Sequence, residues 1–411
     1  MISRQTNPRP RVRTFSNLWL PLLVGLCTIS LLCPACGDDD PTEDWSFYDA
    51  CETGPPDEVC YVSKRDPASA RVALALDVAL RYIDHHPPTE QPWDWGPSAL
   101  MFSLTELYRL TGDARLRDYY QAWMDHHIAA GHDLYWSDHC PAVLTALALL
   151  EDVGGAQYEA EIQAVLTYLF EEAPRIDGGI SHMGTMDILG DTLWLDSLFM
   201  FGMVLTRWAE HTGDELYLDE IGGQFVIFRD LLQEDPGFLV HAYNWPQPQD
   251  PDVYWARGNG WVTASGYEYL RVRRNRGELG DPAVESLLSR QVEAILDTQD
   301  ADTGLWWTVL NRPGETYLET SAAALFALGM ARGYRYGFLG DEVLPSIASA
   351  VDGVEARITD DASGMPLVTG ISGPTTAGDF QNYADIEQGV DIHYGVGAVI
   401  LMLIETSGLF D

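Results

Sequence analysis

"LTGDARL" at residues 110–116 and "HTGDELYL" at 211–218 are one connector written twice. Gly suits the left-handed backbone that closes a helix, and Asp suits the N-cap of the next one. Shorter forms, "LGD", occur at 279–281 and 339–341. Helices joined by so tight a turn lie antiparallel. Apolar spacing near 3.6 recurs on either side of these connectors, at 67–86, 97–110, 115–129, 140–153, 157–171, 191–211, 214–233, 258–276, 282–299, 319–336, 341–357 and 394–407. The pattern predicts about twelve helices, in six pairs, with few strands. Six pairs without a sheet fit an open solenoid or a closed ring. The pairs are dissimilar, and long polar loops rich in Trp or Gly interrupt them at 236–256, 300–317 and 358–393. An ordinary solenoid does not carry such loops. The expected fold is therefore all-α, an (α/α)6 barrel whose loops gather at one mouth, where loops of this length serve function.

The chain of 411 residues is 46% hydrophobic, ample for one large core. Its start reads differently. Residues 1–35 carry Arg4, Arg9, Arg11 and Arg13 with no acid, then the apolar run "LWLPLLVGLCTISLL" at 18–32. Basic, then apolar, then small is the pattern of an export signal. Ala35 before Cys36, with Gly37 after it, resembles the cleavage site of bacterial lipoproteins and predicts a lipid on Cys36. Simple cleavage and release, or an uncleaved anchor, are the alternatives. The domain reading is a signal at 1–35, an acidic tether at 36–66 and a barrel at 67–411. The expected location is the cell envelope. No later stretch is long and apolar enough to span a membrane. In an oxidising compartment Cys51 and Cys60 are placed for a local disulfide, while Cys140 reads as a buried thiol.

Removing residues 1–35 takes away four Arg, so the net charge moves from −38 to −42. Such a surface repels phosphates and excludes nucleic acid as a partner. It also disfavours polyanions unless the site itself is locally basic.

Chemistry concentrates in four stretches and a fifth short one: "WDWGPSALM" (93–101), "YWSDHCPAVL" (135–144), "DGGISHMGTMDILGDTLWLDSLFM" (177–200), "FLVHAYNWPQPQDPDVYWARGNGWV" (238–262) and "TGLWW" (303–307). Trp194, Trp255 and Trp261 stand beside charged residues and could be flat platforms for a sugar ring, or plugs of the barrel. Arg257 offers a fork of donors that matches a carboxylate ligand; the alternative is a structural salt bridge. Asp196 lies in an apolar helical pattern, where burial would raise its pKa and suit it as a proton donor. It could instead be a buried partner of Arg257 or a His. Asp138 is a second candidate carboxylate, or an N-cap. His182 and His241 could bond hydroxyls or orient water. The adjacent pairs at His85–His86 and His126–His127 lack the spacing that puts two ligands on one helix face, so no metal is expected.

These motifs resemble the unsaturated glucuronyl and rhamnogalacturonyl hydrolases. The likeness rests on "WDWGPSALMFSLTELYRLTGD", "SDHCPA", "LWLDSLFM", "YWARGNGWV", "TGLWWTVLNRPGETYLETSAAALFALGMARGYRYGFL" and "YGVGAVILML", in order over about 90–411. The resemblance implies an (α/α)6 barrel without metal or cofactor. It implies a substrate left by polysaccharide lyases, an oligosaccharide ending in a 4,5-unsaturated uronic acid. Hydration of the double bond, not attack on the glycosidic bond, would release the sugar. By motif position Asp196 would be the acid/base and Asp138 the second carboxylate. Trp194, His182, His241, Arg257 and Trp261 would contact substrate. Two competing readings are an inverting glycosidase using Asp138 and Asp196 on saturated sugars, and a sugar-binding lipoprotein without catalysis. Oligomeric state is not legible.

Overall fold

The connectors fold as their residues require. Gly112 takes φ 67° and closes one helix, its N–H bonding to Tyr108 O, while Asp113 caps the next by accepting from Arg115 N. Gly213 (φ 73°) and Asp214 repeat the arrangement, Asp214 accepting from Leu216 N. The fourth echo differs: Gly340 has a negative φ, and residues Asp341–Val343 form a short 3-10 turn instead of a capped start.

The computed structural model describes residues 65–186 and 189–410. In chain order its helices are α1 (Ala70–His85), α2 (Trp95–Thr111), α3 (Ala114–Ala130), α4 (Val143–Asp152), α5 (Ala156–Thr167), α6 (Ser197–Met200), α7 (Gly202–Thr212), α8 (Glu215–Leu232), α9 (Ala256–Asn275), α10 (Pro282–Asp297), α11 (Thr320–Arg335), α12 (Leu344–Glu355), α13 (Phe380–Ala384) and α14 (His393–Thr406). The signal read at 1–35 and all of the 36–66 tether but its last two residues, with Cys36, Cys51 and Cys60, lie outside the described residues.

Burial separates two layers. In α1 only the stripe Val72, Ala75, Val78, Ala79 and Tyr82 is buried, as on a helix with one face to solvent. In α9 every residue from Ala256 to Val272 is buried, and in α14 every residue from Tyr394 to Thr406. Helices α2, α4, α6–α7, α9, α11 and α14 make the inner layer; α1, α3, α5, α8, α10 and α12 make the outer one. The inner layer closes because α14 packs on both α11 and α2. The last contact is close: a Cβ at Gly397 would stand 2.9 Å from Ala99 O. Each Leu fully buried in this double ring contributes about 1.5–3 kcal/mol. The predicted (α/α)6 barrel is the observed fold.

One predicted helix starts late. Residues 191–211 are apolar on most faces, so periodicity cannot tell strand from helix there. Leu193–Trp194 is a two-residue strand, antiparallel to Ala242–Tyr243, with Trp194 opposite Ala242. Helix begins only at Ser197 and is interrupted before Gly202. The 358–393 loop also holds more order than its composition suggests: ribbons Ile358–Asp360 with Pro366–Val368 and Ile371–Ser372 with Gln388–Gly389, the second enclosing α13.

Candidate active site

All inner helices begin at one end of the ring, and the candidate residues cluster at those beginnings. Asp94 caps α2, its carboxylate accepting from Trp95 N at 2.9 Å. Asp138 lies in the 3-10 turn Ser137–Ala142 that leads into α4. Asp196 occupies the cap position of α6 but makes no capping bond with its side chain. Arg257 is the second residue of α9, and His393 the first of α14. The Leu193–Trp194 ribbon ties the Asp196 segment to the His241 loop, with Leu195 N donating to His241 O at 3.0 Å.

The two carboxyls share an electrostatic environment. Asp196 is 8% exposed and Asp138 6%, and among the described residues Oδ1 of each has no hydrogen-bond partner. Burial pushes the Asp196 carboxyl up to about 7, against the opposing pull of Arg257 and local backbone amides. Burial raises Asp138 well above the usual carboxylate range, with Asp196 and Asp94 adding like-charge repulsion. Two such groups do not both ionise readily, so the pair retains a proton near neutrality.

The histidines are fixed on several sides. His182 N donates to Thr192 O, and its carbonyl accepts from Ser137 N. Its ring stacks on Trp194 at 4.4 Å with planes 3° apart. Nδ1 lies 2.9 Å from Ser197 Oγ, and Nε2 lies 3.8 Å from Asp138 Oδ2. His241 stacks on Trp255 at 4.4 Å, meets the edge of Trp194 at 4.8 Å, and places Nδ1 3.0 Å from the Tyr383 hydroxyl. Burial pushes His182 down to about 3 and His241 well below the usual imidazole range, so both are neutral. Trp194 also anchors a small apolar cluster with Met183, Ala242 and Ala377, against which Trp136 and Trp245 pack. Among the described residues the indole N–H groups of Trp136, Trp194 and Trp245 have no partner.

Arg257 and Trp261 sit deeper than the sequence implies. Arg257 is fully buried, with its guanidinium between the rings of Trp255 (4.8 Å) and Tyr394 (4.7 Å). Nη1 donates to Ser372 O at 2.9 Å; Nη2 donates to Gly373 O at 2.8 Å and Thr375 Oγ1 at 3.0 Å. The fork expected to grip a ligand carboxylate is thus held by the 372–375 loop, and among the described residues only Nε lacks a partner. Arg257 still acts on Asp196 through its charge. Trp261 belongs to the main core, packed on Phe199 at 4.4 Å and edge-on to Trp95 at 6.5 Å. Cys140 is a buried free thiol whose pKa is raised by burial.

Asp138, His182, Trp194, Asp196, His241 and Arg257 therefore form one neighbourhood, with Trp261 beneath it. Sequence reasoning missed Asp94, Ser197 and Tyr383. "WDW" signals a cap at Asp94, but nothing local marks the other two, since their partners lie in distant segments. The arrangement offers one proton at a raised pKa, ringed by neutral donors. That suits protonation of a reactive carbon or oxygen in a sugar whose hydroxyls and carboxylate need donors.

Comparison with known proteins agrees with this. The chain is 26% identical over 291 residues to the unsaturated rhamnogalacturonyl hydrolase YesR of Bacillus subtilis, covering 68% of this chain and 82% of that protein. It is 22% identical over 361 residues to an unsaturated 3S-rhamnoglycuronyl hydrolase of Alteromonas sp., covering 81% and 87%. A possible GH105 member from Salmonella enterica superposes with a TM-score of 0.74 at 22% identity, covering 87% of this chain and 97% of that one. The unsaturated glucuronyl hydrolase of Bacillus sp. GL1 gives 0.64 at 15% identity, covering 81% and 95%. The model of Glycosyl Hydrolase Family 88 matches residues 77–410, and the chain belongs to that family.

Proposed function

We propose that this member of Glycosyl Hydrolase Family 88 releases a terminal 4,5-unsaturated uronic acid from oligosaccharides by hydrating the C4=C5 double bond. The observation that carries the reading is Asp196, a buried carboxyl whose pKa is pushed up to about 7 beside a second carboxyl. A vinyl ether needs a single good proton donor, unlike the two-carboxylate plan of ordinary glycosidases. The Asp196 carboxyl gives its proton to C4, and positive charge develops at C5, shared with the ring oxygen. Water adds at C5 and its proton passes to the Asp196 carboxylate, restoring the acid. The hemiketal at C5 opens by breaking the bond to the ring oxygen. C1 is then a hemiacetal and expels the leaving sugar as an alcohol.

Asp138 positions the water or substrate in this scheme. His182, His241 and Trp194 bind the unsaturated ring, and Arg257 supplies the positive field that offsets the uronate's charge. Trp261 supports them from below. The relatives named for unsaturated rhamnogalacturonyl and rhamnoglycuronyl substrates favour a deoxysugar next to the uronate. Export with lipid on Cys36 is part of the same proposal and rests on the sequence pattern alone.

The test is a panel of unsaturated disaccharides derived from pectin, glycosaminoglycans and ulvan, with saturated oligosaccharides as controls. Hydration removes the ultraviolet absorbance of the conjugated double bond, so the purified protein should bleach at least one unsaturated substrate. No bleaching across the panel, or turnover of the saturated controls alone, would sink this reading.

A further inference from the structure

His182 and His241 come from different loops, yet each gives Nδ1 to a hydroxyl and leaves Nε2 without a partner among the described residues. The two hydroxyls have little choice of role. Ser197 is fully buried, and among the described residues His182 Nδ1 is the only hydrogen-bond partner of its Oγ. A buried O–H with one neighbour spends its proton on that neighbour. The Tyr383 hydroxyl accepts from Gly378 N at 3.4 Å, which leaves its proton for His241 Nδ1 at 3.0 Å. In a neutral imidazole, an Nδ1 that accepts a hydrogen bond puts the ring proton on Nε2.

We propose that Ser197 and Tyr383 are positioning residues that lock His182 and His241 in the Nε2–H tautomer, so that each presents a neutral N–H donor to the substrate. The arrangement explains how the site can be rich in donors without losing its acid. An imidazolium 3.8 Å from Asp138 would stabilise ionised carboxylates and draw the proton out of the pair. A neutral N–H bonds a hydroxyl or carboxylate oxygen and leaves that proton in place. The two rings flank Trp194, one stacked and one edge-on, and among the described residues its indole N–H has no partner either. Ser197 follows the acid directly in sequence, so the tautomer of His182 and the placement of Asp196 depend on the same turn. The part of the proposal that concerns substrate rests on the function proposed above; the tautomers do not.

The test is long-range proton–nitrogen NMR correlation on the intact protein carrying isotope-labelled histidine, with signals assigned through His182→Gln and His241→Gln. Both residues should show the Nε2–H pattern in the unaltered protein. Ser197→Ala should shift His182 alone toward the Nδ1–H form, and Tyr383→Phe should do the same to His241 alone. Each variant should lose about tenfold in kcat/KM, the worth of one well-made hydrogen bond, with Ser197→Thr restoring both spectrum and rate. An Nδ1–H pattern at either residue of the unaltered protein overturns the proposal. So do unchanged tautomers in both variants. The spectrum of the unaltered protein decides the matter even if a variant fails to fold. Absence of turnover on unsaturated uronides would leave that spectrum standing and remove only the functional reading.

Discussion

Asp196 separates a catalytic carboxyl from a structural one by the sign of its effect on stability. Its folded pKa of about 7 lies above the ordinary 3.8, so the folded protein holds this proton more tightly than the unfolded chain does. The stabilisation is complete below the ordinary value and is lost as pH rises through the folded one. Asp196→Asn cannot ionise, so the variant should escape that loss and melt a few degrees higher than the natural protein at pH 8. Domains of roughly 150–250 residues shift by about 2–4 °C per kcal/mol, and a larger one such as this by less. The two should converge near pH 4. Turnover should fall by about 10²–10⁴, the usual worth of a general acid. A structural ion-pair partner of Arg257 would behave oppositely, destabilising the fold when removed. Melting curves at the two pH values, read beside the bleaching assay, distinguish these cases; a lower melting temperature at pH 8 with activity intact removes Asp196 as the acid.

At the scale of elements, the connector that decides the fold also locates its stability. Asp113 and Asp214 each hold a backbone N–H of the following helix, and they share no partner. Asp113→Ala and Asp214→Ala should each cost about 1 kcal/mol, and the double variant about twice that, by loss of N-caps at independent sites. Urea unfolding with an unchanged m-value would measure it; no shift of the midpoint in either variant would contradict the capping role. Elements with a period of 3.6 and one apolar stripe were legible in the sequence because local pattern and tertiary burial agree. The start of the 191–211 pattern was not, because residues apolar on most faces carry no clear phase. Its strand is set by pairing with Ala242–Tyr243, some fifty residues on. The same holds for the 358–393 loop. Glu319 accepts from Ser372 N, Tyr394 donates to Ser372 O, and Arg257 donates to Ser372 O and Gly373 O. These long-range bonds order a stretch whose composition reads as irregular. They also explain why Arg257 was legible as a conspicuous cation but not as one gripped by a loop.

At the scale of the whole molecule, opposite ends of the ring have opposite electrostatics. The C-terminal halves of five inner helices meet in a buried ion network: Glu106 of α2, Arg207 and Glu210 of α7, Glu268 and Arg271 of α9, Arg332 and Arg335 of α11, and Glu405 of α14. Glu268 is its centre, ion-paired with Arg207 Nε at 2.5 Å, Arg271 Nη2 at 2.8 Å and Arg332 Nη1 at 2.8 Å. Burial would raise this carboxyl, but the three guanidiniums outweigh it and hold the pKa well below the usual range. Its contribution is therefore present above the ordinary carboxylate value and lost as pH falls through the folded one, the reverse of Asp196. Stability should climb as the network ionises and then decline toward neutrality as the mouth carboxyls ionise. Replacing one partner of a buried network leaves charges unpaired and costs about 3–5 kcal/mol. Glu268→Gln keeps the shape and removes the charge that three arginines face. It should lose that much at pH 7 by chemical denaturation, while the Asp196 region, at the other end of α9, keeps its pH dependence of activity. A loss below about 1 kcal/mol would mean that the arginines find other partners and that closure of the ring rests on its apolar contacts alone.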